Sequence, residues 1–227
     1  MTGQPLIEQL LGKTYKVRVV VRSPSKLTPK ILENPNITVI EAPILELTDE
    51  ELAEHVKDCD AVALCLGHTL DFKGMFGDPK KLCTEAARRL CNAIEKNTPS
   101  NPTKLILMNT VGVKNPDCDQ KRAWFERAFL FLLRHAVPPH RDNETAVEYM
   151  YQNVGKDNKY VEWSSVRPDS LINAQVSPYE IKESPTTGVF TGRSTTRSNV
   201  AHFMVELIEN TELWDKWKFK MPVIMDT

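Results

Sequence analysis

The chain has no long apolar run, no cysteine pair at close spacing and no excess of either charge, and each absence removes a class of protein. Its longest apolar stretch, Ala128 to Leu133, is far below the roughly 20 residues a membrane-spanning helix needs. The N-terminus shows no basic segment leading into an apolar one, so no secretory leader is read and a cytoplasmic protein without a membrane partner is expected. Five cysteines stand at 59, 65, 83, 91 and 118, an odd number with no C-x-x-C pair. That spacing speaks against a zinc site or a disulfide framework and for buried, reduced thiols; no metal is expected. Twenty-nine Lys and Arg balance thirty Asp and Glu, a net charge of −1 with the signs mixed along the chain. Neither nucleic acid nor anionic lipid has an electrostatic footprint in that balance. Internal repeats and low-complexity tracts are absent, and the oligomeric state is not legible.

What is present is an ordinary globular composition: 227 residues, 41% hydrophobic and 26% charged, enough to bury one core as a single domain over 1–227. Helices and strands alternate. An apolar face at Leu6, Ile7, Leu10 and Leu11 marks a first helix, Gln4 to Leu11. Strands follow at Tyr15–Val21 and Ile37–Ile40, and a Thr48-x-x-Glu51 capping box opens a helix reaching about Lys57. Ala61–Leu66 is a continuous apolar run, the pattern of a strand covered on both faces. A long helix is predicted over Pro79–Lys96, with Leu82, Ala86, Leu90, Ala93 and Ile94 buried, and a strand over Leu105–Met108. Helices are then expected near Arg122–Arg134, with Phe125, Phe129 and Leu132 as its buried stripe, and near Asn143–Gln152. A strand at Val161–Val166, a helix at Asn199–Glu209 capped by Ser198 and a last strand near Met221–Ile224 complete the pattern, with Trp163, Trp214 and Trp217 as packing anchors. This alternation defines an α/β fold: a Rossmann-type, doubly wound, mainly parallel sheet with helices on both faces. Such sheets bind ligands at the carboxyl ends of their strands.

Two local patterns carry chemistry. Thr2-Gly3 opens the first helix, and a helix N-terminus with glycine offers backbone N–H groups to a phosphate. Nineteen positions after Gly3 stands Arg22, followed by Ser23, Pro24, Ser25 and Lys26. In the dinucleotide fold the residue reading the adenosine ribose lies about 20 positions past the glycine turn, and an Arg there accommodates the 2′-phosphate of NADP. Guanidinium, hydroxyls and ammonium together suit a phosphate dianion. His68, just beyond Gly67, and His140 are the candidates for proton transfer, because imidazole titrates near neutral pH.

Thr-Gly-x-x-Leu-x-x-x-Leu-Leu, the strand ending Val-Arg-Ser-Pro-Ser-Lys, the strand ending Leu-Gly, the strand before Asn109-Thr110, and Val166-Arg167-Pro168-Asp169 before Leu171 follow one another in order. The whole resembles the atypical short-chain dehydrogenase/reductase proteins, the NAD(P)-binding group with NmrA-like and flavin-reductase-like members. The resemblance implies that Thr2 and Gly3 border the pyrophosphate and that Arg22, Ser23 and Lys26 border the 2′-phosphate. Leu66 and Gly67 would then lie by the adenosine, Asn109 and Thr110 by the nicotinamide ribose, and the Arg167–Ser170 loop, with Pro168, beside the nicotinamide. NADPH is the implied cofactor, Thr110 joins His68 and His140 as a catalytic candidate, and the part from about residue 160 forms the substrate side. Two departures stand out. No tyrosine has a lysine four residues on, so the usual Tyr-x-x-x-Lys proton donor is missing, and Asp142 or Asn143 occupies the place where many atypical members carry a lysine.

The first strand of that fold and most of its glycine-rich turn also lack a counterpart ahead of Thr2, so the fold reads as truncated at its N-terminus. Either Tyr15–Val21 pairs directly with Ala61–Leu66, or something else fills the gap, or Met1 is an internal residue of a longer chain. The functional expectation is an NADPH-dependent oxidoreductase acting on a small carbonyl, quinone or flavin. The alternatives are a non-catalytic protein that senses NADP(H) or binds a partner, and a remnant with impaired cofactor binding.

Overall fold

The computed structural model describes residues 2–68, 77–117, 124–186 and 194–227; Met1, Cys118 and the predicted helix start at Arg122 lie outside them. Helix α1 (Gly3–Gly12) leads to β1 (Val17–Val21), the short α2 (Pro29–Leu32), β2 (Ile37–Glu41) and α3 (Asp49–Val56). Next come β3 (Ala61–Leu64), α4 (Leu82–Asn97), β4 (Thr103–Met108), α5 (Trp124–Ala136), α6 (Pro138–Tyr149) and β5 (Val161–Pro168). The tail adds β6 (Ser170–Ile172), β7 (Tyr179–Lys182), β8 (Ser194–Thr196), α7 (Arg197–Glu209), α8 (Thr211–Trp217) and β9 (Val223–Asp226).

Five strands form the main sheet in the order β3-β4-β5-β9-β7, parallel except for β7 against β9. Alternation along β4 shows the double winding. Leu105 and Leu107 join the core built with α3, α4 and α6, whereas Ile106 joins the core built with α1, α7 and α8. Strand β5 does the same, placing Val161 and Trp163 on one face and Val166 on the other. Trp163, Trp214 and Trp217 are all buried, as their expected role as anchors requires.

The sheet has not closed up. Among the described residues, β1 pairs in parallel with β2 alone and β3 with β4 alone. As an edge strand, β3 buries only Leu64, and Ala63 is exposed, so the run read as covered on both faces is half open. The β1–β2 ribbon is tied on by its neighbours. Arg18 Nη1 donates to the carbonyls of His55 (3.0 Å) and Lys57 (2.6 Å) at the end of α3, whose Thr48–Glu51 capping box forms as expected.

Four local expectations need correction. Helix α6 starts five residues before the predicted Asn143, because Pro138 suits a first helical turn, and runs on through a π turn over Met150–Val154. Helix α7 starts at Arg197 with Thr196 as N-cap, so Ser198 sits inside it. The segment between the predicted last helix and last strand, which holds Trp214 and Trp217, is itself helix α8, capped by Asn210, whose side chain accepts from Leu213 N–H at 2.9 Å. On α5 the predicted buried stripe fails, since Phe125 and Leu132 face outward while Glu126 is buried.

Candidate active site

Helix α4 begins without a capping side chain of its own. Its cap comes from α6. Asp142 Oδ2 accepts from Cys83 N–H at 2.7 Å, and Oδ1 accepts from Thr84 N–H at 3.0 Å and from the Thr84 hydroxyl at 2.6 Å. A carboxylate at a helix N-terminus is favoured both by these N–H groups and by the helix dipole. The fourth contact is His68, whose Nε2 lies 2.9 Å from Asp142 Oδ2. Asp142 is almost fully buried and the His68 ring nearly so. Four donors thus satisfy one buried carboxylate where solvent cannot reach it.

His68, Cys83 and Asp142 bring three ligand-type atoms within 4.8 Å of one another. Burial, and then the Asp142 carboxylate, push the Cys83 thiol up to about 12.

The loop after β4 closes the other side. Asn109 Nδ2 donates to the carbonyl of Asn143 at 3.0 Å, and its Oδ1 accepts from Thr110 N–H at 2.8 Å, which fixes the loop to the start of α6. The Thr110 hydroxyl accepts from Gly112 N–H at 3.3 Å. A Cβ at Gly112 would stand 3.1 Å from His140 Cε1, so the ring would have to give by a few tenths of an ångström to take one. His140 Nε2 is 3.7 Å from Glu144 Oε1, and Glu144 in turn pairs with Arg134 of α5 at 3.0 Å. The carboxyl ends of β3 and β4 therefore gather His68, Thr110 and His140 with Asp142, Cys83 and Thr84.

The residues expected along a dinucleotide fall as follows. Gly3 abuts the segment after β3, its Cβ position 3.6 Å from Cys65 Cβ, and Leu66-Gly67 continues that segment. Thr2 is buried, and its hydroxyl has no hydrogen-bond partner among the described residues. An orphaned hydroxyl at a helix N-terminus fits a phosphate oxygen, so the chain's own residues are compatible with a bound dinucleotide. Arg22 and Lys26 are exposed beyond β1, with Ser23 Oγ 2.9 Å from Ser25 Oγ between them. Pro168 ends β5, and its carbonyl accepts from Val111 N–H at 3.1 Å. Arg167 is spent on structure: fully buried, it donates to the carbonyls of Met221, Val113 and Glu183.

Sequence reasoning named His68 but missed its partner. Asp142 entered only as a replacement for lysine, and nothing in the spacing of residues 68, 84 and 142 connects them. Pro138-Pro139 was the available signal, since it starts α6 early enough to place Asp142 in the helix.

A doubly wound parallel sheet with a phosphate-compatible helix N-terminus and polar groups at its carboxyl edge defines a Rossmann-type dinucleotide-binding protein. The chain belongs to the NAD(P)H-binding family, whose profile matches residues 1–211. Among solved structures, the oxidoreductase ylbE from Lactococcus lactis is similar at 17% identity and a TM-score of 0.68, covering 100% of this chain and 86% of its own. A wide-type short-chain dehydrogenase/reductase from Veillonella parvula, solved in complex with NADP, is 14% identical with a TM-score of 0.67 over 100% of this chain and 90% of its own. ChuY, an anaerobillin reductase from Escherichia coli O157:H7, is 13% identical with a TM-score of 0.67 over 99% and 91% of the two chains. The comparison with curated proteins gives no match. Among the described residues, no helix is long and apolar enough to cross a membrane.

Proposed function

We propose that this protein is an NADPH-dependent oxidoreductase in which His68, held by Asp142, delivers the proton that accompanies reduction. The 2.9 Å contact between His68 Nε2 and Asp142 Oδ2 carries this reading. NADPH, when bound, supplies the hydride; the rest is done by side chains of this chain. The N–H groups of α1 and the Thr2 hydroxyl hold the diphosphate, and Arg22, Ser23 and Lys26 hold the 2′-phosphate. Asp142 accepts from Nε2–H, which fixes the ring orientation, and His68 passes a proton to the acceptor oxygen. Thr110, on a loop pinned by Asn109, flanks the reduced centre.

The Tyr151 hydroxyl donates toward Asp117 Oδ2 at 3.0 Å, and burial pushes the Tyr149 phenol up to about 12. NADPH consumption with an aldehyde, a naphthoquinone and a free flavin tests the assignment. His68→Gln is expected to cut turnover on the best acceptor by about 10²- to 10⁴-fold. Tyr149→Phe and Tyr151→Phe should each stay within about a few-fold of wild type on the same scale. Full activity in His68→Gln overturns the role of His68. NADPH binding without turnover on any acceptor favours the sensing alternative, in which the same cleft reports NADP(H) without chemistry.

A further inference from the structure

We infer that His68, Cys83 and Asp142 form a binding site for a zinc ion. They come from three separate segments, the stretch after β3, the first turn of α4 and helix α6, and offer a nitrogen, a sulfur and a carboxylate oxygen within 4.8 Å of one another. Cys83 and Asp142 are each 2% exposed, and the His68 side chain is 7% exposed. Donor atoms bonded to one tetrahedral ion at about 2.0–2.3 Å stand roughly 3.2–3.7 Å apart. The 2.9 Å between His68 Nε2 and Asp142 Oδ2 lies just under that span, so a small widening admits a cation. What calls for a cation is the charge of Asp142. Among the described residues no lysine or arginine pairs with this buried carboxylate, and His68 is its one ion-pair partner. The other contacts of its oxygens are the N–H groups of Cys83 and Thr84 and the Thr84 hydroxyl, neutral donors that orient the carboxylate without cancelling its charge.

The cation takes the place of a proton. The Nε2–H that Asp142 accepts moves to Nδ1, so the neutral imidazole turns a lone pair toward the metal, and Oδ2 exchanges that N–H for the metal while keeping the Cys83 N–H. The Cys83 thiol, held only by a 3.8 Å contact to the Leu66 carbonyl, releases its proton to solvent and binds as thiolate. Burial and the Asp142 carboxylate hold that proton on, and a dication beside the sulfur outweighs both. Thiolate, carboxylate and neutral imidazole then leave the dication with no net charge to bury, and one proton is released per ion. Thr84 keeps both of its bonds to Oδ1 and so fixes the carboxylate for the metal. Sulfur and imidazole select zinc over magnesium and calcium, which take oxygen ligands, and three protein ligands leave the fourth tetrahedral position to water. No cysteine pair announces this site in the sequence, because the fold alone brings its ligands together. The site stands without the catalytic role of His68; on that reading a bound ion withdraws the proton donor.

Calorimetric titration of the untagged, dialysed full chain with zinc chloride at about pH 8 should give one ion per chain with a Kd of about 10 μM or tighter, and magnesium chloride should give no binding. Cobalt(II), a spectroscopic stand-in for zinc, should give the visible bands of a tetrahedral ion and a near-ultraviolet thiolate-to-metal band. Cys83→Ser, close to the thiol in size, should keep the fold by circular dichroism, lose the thiolate band and weaken zinc binding by about a hundred-fold. His68→Gln, which leaves the cap of α4 in place, should weaken it to about the same degree. Zinc binding weaker than about 10 μM by the unaltered chain, a cobalt spectrum without the thiolate band, or an affinity unmoved by Cys83→Ser or by His68→Gln overturns the inference. These readouts need neither NADPH nor turnover, so failure of the site and failure of the catalytic reading are told apart.

Discussion

His68 Nε2 and Asp142 Oδ2 meet at 2.9 Å across 74 residues of sequence, and the carboxylate that holds the imidazole also caps helix α4. One side chain therefore couples the candidate proton donor to the packing of two helices. Any change at Asp142 should move stability and turnover together, whereas a change at His68 should move turnover far more than stability.

Asp142→Asn keeps an acceptor for one N–H but removes the charge, and its amide nitrogen faces donors in place of an acceptor. Loss of one partner from a buried charged cluster costs about 3–5 kcal/mol, and the retained amide oxygen should bring the loss nearer to 2–4 kcal/mol. Urea unfolding should report that drop with an unchanged slope. Thr84→Val, which removes the hydroxyl contacts to Asp142 Oδ1 at 2.6 Å and to the Asp142 carbonyl at 3.0 Å, should cost about 1 kcal/mol. A variant at position 142 as stable as wild type would show that the cap is dispensable.

Cofactor choice should reside at Arg22 and Lys26. Both are exposed past the end of β1, and only NADPH offers the phosphate they can pair with. Charge-assisted bonds contribute about 1.5–3 kcal/mol each, a preference of roughly ten-fold or more over NADH. Calorimetric titration of both cofactors should show that preference in wild type and its collapse in Arg22→Ala. Equal affinities in the unaltered chain would dismiss the 2′-phosphate site.

Alkaline pH should destabilise the fold well before any backbone chemistry begins. Burial pushes the thiols of Cys83 and Cys91 from 9.0 up to about 12. The unfolded chain releases these protons near pH 9, whereas the folded chain keeps them to about pH 12. Their contribution is thus fully present below pH 9 and is lost as pH rises from there toward 12, by roughly 1–3 kcal/mol per pH unit for the two together. Unfolding free energies at pH 7, about 9 and about 10.5 should be flat over the first interval and fall over the second. A flat profile throughout would mean that water reaches both thiols.

The fold was legible because its signals are local. Ala61–Leu64 and Leu105–Met108 are apolar runs whose length and flanks mark strands, and the Thr48–Glu51 box marks a helix start without help from elsewhere. What escaped was set by tertiary context. Phe125 and Leu132 have the spacing of a buried stripe, but periodicity gives a face and not the direction in which it points. The cap of α4 lies outside its own segment, so no reading of residues 79–84 could supply it. His68 was found through its place after a strand; Asp142 required knowing that α6 returns to the same sheet edge.

The open edges of β1 and β3 should be the strongest lever on cofactor affinity. Among the described residues each strand pairs on one side only, β1 with β2 and β3 with β4, and a parallel strand between them would satisfy both. Helix α1 starts beside Cys65, at the end where such a strand would finish, so a turn from it would deliver its N–H groups next to Thr2 and Gly3. Grafting about five β-branched residues and Gly-Ala-Thr-Gly directly before Met1 should raise the melting temperature and tighten NADPH binding by about ten-fold or more. Differential scanning calorimetry and titration of both proteins decide the matter. Low-micromolar binding by the unextended chain, with neither quantity moved by the graft, would show that these edges do not limit the site.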